Sequence, residues 1–509
     1  MQIYRSLASW LSLLFIVAGI GLAAAERDAP LPDAAQALDR DVVARLLGEG
    51  ADVNMAAVDG TTALHWSVYH DDVELTSMLL DAGADTDAVN RNGATPLTLA
   101  CTNSNPEMVT RLLAAGADAN RAPTGEPPLL TCARTGQVGA VRALRAAGAD
   151  IDAVDDWRGQ TPLMWAAAEN HVAVMNVLLE GGARVDAFSK GQFTALMFAV
   201  RQDARDAVRL LIAAGADVNL VAPSDQGQIS RNPVAGSLVS IAVSNRHYTV
   251  AGMLLERGAD PNASSARGRT VLHDLIASRS PQRHLGNVVV AFTGEDPTQL
   301  GSLELIKMLV ARGADPNART EPVPILHERW TDADIYSAGR PRMDNAVNLG
   351  GVTPYLLAAQ AADVDAMRLL AELGADPRLA TYANNTAVSL AAGVGHVEGS
   401  RRFRPEEDVL EAIKVALAEG VDINAANANG QTALHGAVYR AADSVIVHLV
   451  DAGARTDLAD ELRRTALDLA EQGFNQVASL IRRERSATLL RDLGATPTRQ
   501  DAENRFASQ

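Results

Sequence analysis

The chain has 509 residues, 47% of them hydrophobic, 21% charged and only 4% aromatic. Abundant Ala and Leu with so few rings point to helices packed through small side chains, and away from a β-sandwich or barrel. A formal charge of −17 argues against a nucleic-acid binder, which carries a basic face, and provides no attraction to anionic lipid.

In chain order, residues 1–25 come first. Arg5 is the only charge before Glu26, an apolar run extends from Leu7 to Leu22, and Ala23-Ala24-Ala25 follows. A basic start, a short apolar core and small residues at the end are the three parts of a secretory signal peptide. The run is interrupted by Ser9 and Ser12 and is short for a spanning helix. The expectation is cleavage after Ala25 and a periplasmic or secreted mature protein, with no membrane attachment after cleavage; the alternative is a segment retained as an N-terminal anchor. No cysteine lies near that position, which argues against a lipoprotein.

From residue 50 onward a short motif recurs. It reads Gly50-Ala51-Asp52, Gly83-Ala84-Asp85, Gly116-Ala117-Asp118, Gly148-Ala149-Asp150, Gly182-Ala183-Arg184 and Gly215-Ala216-Asp217, in steps of 33, 33, 32, 34 and 33. Later copies start at Gly258, Gly313, Gly374, Gly420 and Gly453, with a looser echo at Gly494. A fixed period in this range signals a solenoid. A second motif keeps step, 21 residues before each Gly where nothing is inserted: Thr62-Ala63-Leu64-His65, Thr95-Pro96-Leu97-Thr98, Thr161-Pro162-Leu163-Met164, Thr194-Ala195-Leu196-Met197. It returns at Thr270, Thr353, Thr386, Thr432 and Thr465. Thr before Pro or Ala is a helix N-cap. A second helix carries an apolar stripe such as Val109, Leu112 and Leu113, and Gly closes it.

This pattern resembles the ankyrin repeat, over roughly residues 29–494. The resemblance implies an all-α solenoid of paired antiparallel helices with β-hairpin fingers, eleven firm units and one loose one, capped at both ends. The expected layout is regular repeats with an N-terminal cap over 26–220, repeats with insertions over 221–420, C-terminal repeats and cap over 421–494, and a tail over 495–509. The resemblance also implies a structural role for His65, His273 and His435, at the position where the imidazole bonds within and between repeats.

The only cysteines, Cys101 and Cys132, belong to neighbouring units. An oxidising compartment would permit a bridge. Equivalent helices in stacked units lie about 10 Å apart, however, and a disulfide wants Cα atoms within about 7 Å. The expectation is therefore two buried free thiols.

The period breaks in four places. The step from Gly215 to Ser237 carries 10 extra residues around Pro223–Pro233, and that from Thr270 to Gly313 carries 22 around Ser278–Gly301. The step from Gly313 to Thr353 carries 28, within 319–349, and that from Thr386 to Gly420 carries 13 around His396–Glu406. Long insertions into a compact array are uncommon unless functional or disordered.

No phosphate-binding loop, nucleophile elbow, H-E-x-x-H or C-x-x-C motif is present, so the expectation is neither catalysis, nor a metal site, nor a cofactor. Asp-x-Asn pairs such as Asp52 and Asn54 recur with the period and read as turns. In the ankyrin family the face four residues past each Thr lines a concave groove that touches partners. Here that row holds Trp66, Leu99, Thr131, Trp165, Phe198, Ile241, Asp274, Leu357, Leu390, Gly436 and Leu469, counting Pro127 and Ser237 as Thr equivalents. Three residues further on lie Tyr69 and Arg201. Aromatics beside Arg make typical binding hot spots. The expected partner-contact residues are Trp66, Tyr69, Trp165, Phe198 and Arg201, with Trp157 at a finger tip and His327, Trp330 and Tyr336 in the third insertion. The expected function is an exported scaffold that binds another protein as a monomer. One alternative is an accessory or regulatory subunit of one exported enzyme. Another is an enzyme or metal site built from His327, Glu328, Asp332 and Asp334.

Overall fold

Seven residues make a poor helix in isolation, so the short helices of this chain depend on their caps and neighbours. At Thr62 the hydroxyl accepts from the His65 backbone N–H while the His65 side chain accepts from the Thr62 backbone N–H, closing a reciprocal box at the start of the helix Ala63–Tyr69. The same box forms at Thr95, Thr270, Thr386, Thr432 and Thr465, with Thr, His, Ser, His and Asp respectively as the third helical residue. The end of each second helix is set by glycine. Gly50, Gly83 and Gly148 all sit at φ +84°, and a Cβ at any of them would meet nothing within 4 Å. Their requirement is the left-handed backbone alone, not space.

The computed structural model describes residues 29–222, 236–264, 268–279, 282–285, 288–291, 300–322, 349–395, 405–476 and 479–497. Among them are 24 helices and three two-stranded antiparallel pairs. Contacts divide the chain into two units, residues 1–166 with 171–184, and 167–170 with 185–509.

In the first unit the helix pairs are Pro30–Gln36 with Arg40–Gly48, Ala63–Tyr69 with Val73–Asp81, Pro96–Asn103 with Pro106–Ala114, and Pro128–Thr135 with Val138–Ala146, followed by the helices Pro162–Ala168 and Val172–Glu180. The first helices Pro30–Gln36, Ala63–Tyr69, Pro96–Asn103 and Pro128–Thr135 pack each on the next, and so do the second helices Val73–Asp81, Pro106–Ala114, Val138–Ala146 and Val172–Glu180. Leu75, Leu79, Met108, Val109, Leu112, Val141 and Leu144 are fully buried along the second helices. Each such side chain contributes on the order of 2 kcal/mol. Ala100 and Ala133, also fully buried, let the first helices approach closely.

Cys101 and Cys132 form a disulfide with Cα atoms 4.7 Å apart, correcting the expectation of free thiols. That expectation took the distance between helix axes for the distance between facing Cα atoms. With axes about 9 Å apart and Cα atoms on cylinders of radius about 2.3 Å, facing Cα atoms approach to about 4–5 Å. Cys101 stands six residues past Thr95 and Cys132 five past Pro127, and this offset of one turns them toward each other.

The second unit contains seven pairs, from Ala195–Arg201 with Arg205–Ala213 to Ala466–Gln472 with Glu484–Asp492. Its insertions are held at their bases. Val221–Ala222 pairs with Gly236–Ser237 across the first. Within the second, Gln282–Leu285 and Val288–Ala291 form a hairpin. Arg279, at the start of that insertion, pairs with Asp363, the N-cap of the helix Val364–Glu372; the two side chains are 13% and 8% exposed. The third is closed by Thr320 N–H to Val352 O (3.2 Å) and Gly351 N–H to Thr320 O (3.0 Å). A fifth departure from the period, not anticipated, is the hairpin Phe474–Gln476 with Ser479–Ile481. It sits where the last unit's inter-helix turn belongs, and Phe474 packs edge-on against buried Tyr439 at 4.7 Å.

The fingers are tight turns bonded to their neighbours more than regular strands. Ala57 N–H donates to Thr61 O and Gly60 N–H to Ala57 O, beside a single bridge between Ala56 and Thr62. Arg91 N–H then reaches Asp59 O at 2.8 Å, and Asp156 N–H reaches Gly125 O at 2.9 Å. The Asp-x-Asn turns form a further ladder. Asp52 caps its own turn by accepting from Asn54 N–H, and Asn54 accepts from Asp85 N–H and donates to Gly83 O in the following repeat.

The disulfide closes a loop of 31 residues, for which chain-entropy arguments give about 3–4 kcal/mol. Denaturant melts of Cys101→Ala/Cys132→Ala should show a loss of this order relative to the oxidised chain. Alkylation before reduction should label neither cysteine.

Candidate functional site

Three histidines tie finger bases to neighbouring repeats. In His65 the Nδ1 atom accepts from Thr62 N–H (3.2 Å) and pairs with Thr62 Oγ1 (2.8 Å), so the proton lies on Nε2, which faces Ala94 O at 3.1 Å. His273 does the same with Thr270 and Val352 O (3.0 Å), and His435 with Thr432 and Arg464 O (3.0 Å). All three are buried. Desolvation pushes their pKa values down, for His273 from 6.5 to about 4. Each bonds two backbone positions, which commits both ring nitrogens.

The row four residues past each Thr is open in some repeats and sealed in others. In the first unit Trp66, Leu99 and Trp165 are half-buried over a floor that includes buried Thr131. Trp66 meets Tyr69 edge-on at 5.6 Å and stacks on His70 at 5.9 Å. Tyr69 is 44% exposed, and His70 is fixed by Nε2 against Gln36 O. Arg134 lies over the Trp165 ring at 5.5 Å. Its Nη2 donates to Glu126, which also accepts from Thr131 Oγ1 at 2.7 Å.

In the second unit Phe198 is half-buried against Phe193 at 5.8 Å, and Arg201 is exposed one helical turn on. Asp274 is part-buried and paired with Arg269 at 3.1 Å; desolvation raises its pKa. Farther along, Leu390, Gly436 and Leu469 are all buried. A Cβ on Gly393 would lie 2.6 Å from Gly436 O, and one on Gly436 would lie 2.6 Å from Val394 N. The row is therefore filled there by the chain's own backbone.

Several of the exposed large apolar side chains stand at finger tips. Trp157 is 64% exposed, its backbone N–H donating to Asp155 in the turn. Val58 and Tyr382 occupy the same place, four residues before their Thr, and are also exposed. Arg319 stacks on Tyr382 at 4.6 Å. Sequence reading singled out Trp157 but missed Val58 and Tyr382, although their common spacing from Thr was available as a signal. It also missed His70 and Glu126, whose roles depend on side-chain direction.

His327, Trp330 and Tyr336, with Glu328, Asp332 and Asp334, lie outside the described residues. Among the described residues no group of three or more His, Cys, Asp or Glu is placed to hold a metal ion. No helix there is long and apolar enough to cross a membrane.

A family model described as ankyrin repeats in three copies matches residues 31–123 and 129–222. Among solved structures, the human ASB11 ankyrin repeat domain is 28% identical over 45% of this chain and 98% of that one, with a TM-score of 0.40. The ankyrin repeat domain of Bcl-3, described as a unique member of the IkappaB protein family, is 30% identical over 39% of this chain and 90% of that one, with a TM-score of 0.36.

The buried histidines make stability depend on pH. At His273 the unfolded chain takes up a proton below about 6.5 that the folded chain refuses until about pH 4. Stability is full above the unfolded pKa and is lost as pH falls toward the folded one. For His273 alone the loss between pH 7 and about 5 should be about 2 kcal/mol. Urea melts across this range should show a shallower pH slope in His273→Gln than in the parent chain.

Proposed function

The chain belongs to the ankyrin-repeat family, whose repeats are protein–protein interaction scaffolds, and we propose that it is an exported scaffold that binds a partner protein rather than an enzyme. The observation that carries this reading is the half-open aromatic row of the first unit, Trp66, Tyr69 and Trp165, beside the exposed finger residue Trp157. Exposed rings on a rigid surface suit recognition, because little side-chain or backbone freedom is lost on association. Phe198 and Arg201 extend the same reading to the start of the second unit.

Two features support export. Residues 1–25 have the composition of a secretory signal. The Cys101–Cys132 bond is of the kind that persists in oxidising compartments.

Cross-linking of the full chain in its own exported fraction, followed by capture, tests the scaffold reading. Trp66→Ala with Trp165→Ala should lower recovery of the partner about tenfold or more, each hot-spot ring being worth at least about 1 kcal/mol. Undiminished recovery from a folded double variant would refute the groove as the contact surface. For export, amino-terminal sequencing of the protein recovered from cells should begin at Glu26. A start at Met1 in the cytosol would overturn the location.

A further inference from the structure

The Cys101–Cys132 bond forms by a chemistry that the stacked repeats do not admit. In thiol–disulfide exchange a thiolate attacks one sulfur of an oxidant's disulfide, and the mixed disulfide that results joins the two molecules. The second thiolate then displaces the oxidant. For a time, therefore, the oxidant is covalently attached to one cysteine. Both cysteines here are 0% exposed, on the neighbouring helices Pro96–Asn103 and Pro128–Thr135. A sulfur with no exposed surface can neither reach an oxidant nor carry one.

The helices that carry the sulfurs are clamped together and from both sides. Thr135 Oγ1 lies 3.2 Å from Cys101 O and 3.2 Å from Cys132 O, spanning the two helices beside the bond. Towards the preceding repeat, Asn103 Nδ2 donates to Val68 O (2.8 Å) and Tyr69 O (3.0 Å). Towards the following one, His171 Nε2 faces Arg134 O at 3.1 Å. Leu97, Ala100, Leu129, Leu130 and Ala133 on the same two helices are all buried. Uncovering either sulfur thus means separating two repeats, not turning one side chain.

We propose that this bond is made on the open chain, before the third and fourth helix pairs stack, by exchange with a disulfide-bearing oxidant, and that stacking then closes it to oxidant and reductant alike. The two thiols give up two protons and two electrons, an S–S bond forms between Cys101 and Cys132, and the oxidant's own S–S bond is reduced to two thiols. A chain with two cysteines has one pairing available, so no rearrangement of a wrong bond is needed. The inference goes beyond the scaffold reading and does not rest on it. Its consequence is an order of events, oxidation first and stacking second, and a finished molecule that keeps its bond when carried into reducing surroundings.

To test this, the full chain is reduced in urea, returned to buffer and freed of reductant, and its helix content is read by circular dichroism. Oxidised glutathione is then added at one pH to this sample and to a second one kept in urea. Portions quenched in acid, unfolded and alkylated report free thiols over time by mass spectrometry. The folded reduced chain should lose its thiols at least about a hundredfold more slowly than the chain in urea, the rate falling with the fraction of molecules open. No glutathione adduct should appear on it. A second arm needs no folded reduced state: dithiothreitol should break the bond of the oxidised chain at least about a hundredfold more slowly in buffer than in urea. Leu130→Ala, which deletes a buried side chain from the same helix, should raise the folded-state rates about tenfold or more, because opening sets them and not the sulfur's own reactivity. A reduced chain that regains no helix would place oxidation ahead of folding outright and bear the proposal out. Rates in buffer and urea within about threefold of each other, in a chain whose helix content shows it folded, would overturn it. So would a glutathione adduct on such a chain, or folded-state rates unmoved by Leu130→Ala. None of these results bears on the scaffold reading, which partner capture tests separately.

Discussion

A pair of helices seven and nine residues long, such as Ala63–Tyr69 and Val73–Asp81, cannot bury its apolar faces by itself. Everything else in this molecule answers that constraint. The apolar stripe of each helix finds cover only on the next repeat, so spacing between repeats must be held closely from one to the next. Three sets of polar contacts hold it: imidazoles bridging a Thr cap to the following finger, asparagines bridging successive turns, and finger backbones bonded to one another. None of these groups is chemically idle, which is why the histidines that look reactive in isolation have no nitrogen left for catalysis or metal.

How much of this can be read from the sequence depends on the range of the interaction. Period, caps and terminating glycines are local, set within a few residues of Thr62 or Gly83, and were legible. The pairing of Cys101 with Cys132 was not, because it depends on which sides of two helices face each other. The hairpin after Gly473 was missed for another reason: it lengthens a turn near the end of the array, where the motif at Gly494 is already degenerate. Of the candidate site, the common register of Trp66, Trp165 and Phe198 followed from spacing, and its assignment to a groove from the resemblance to ankyrin repeats. That the row is closed at Gly436 did not, since the group that closes it, Gly393-Val394, comes from the preceding repeat. The insertion with His327, Trp330 and Tyr336 lies outside the described residues.

The contrast between open and closed stretches of one row follows side-chain size only in part. Where the fourth residue past Thr is a large ring, as at Trp66, Trp165 and Phe198, it stays partly at the surface. Where it is Gly436, the preceding chain moves in to van der Waals contact. Side-chain volume alone does not decide it, since Leu99 and Leu357 are half-buried on this row while Leu390 and Leu469 are buried.

The disulfide also changes how the first unit bears load. Helix-pair arrays peel from their ends under tension, repeat by repeat, because each holds only its neighbours. A covalent link between the third and fourth first-helices stops that peeling. The segment between Cys101 and Cys132, which are 31 positions apart, stays out of the extended length, withholding roughly 100 Å of chain at about 3.5 Å per residue. Pulled from either side, the molecule would behave as two springs joined by a rigid knot, shorter in reach when oxidised than when reduced.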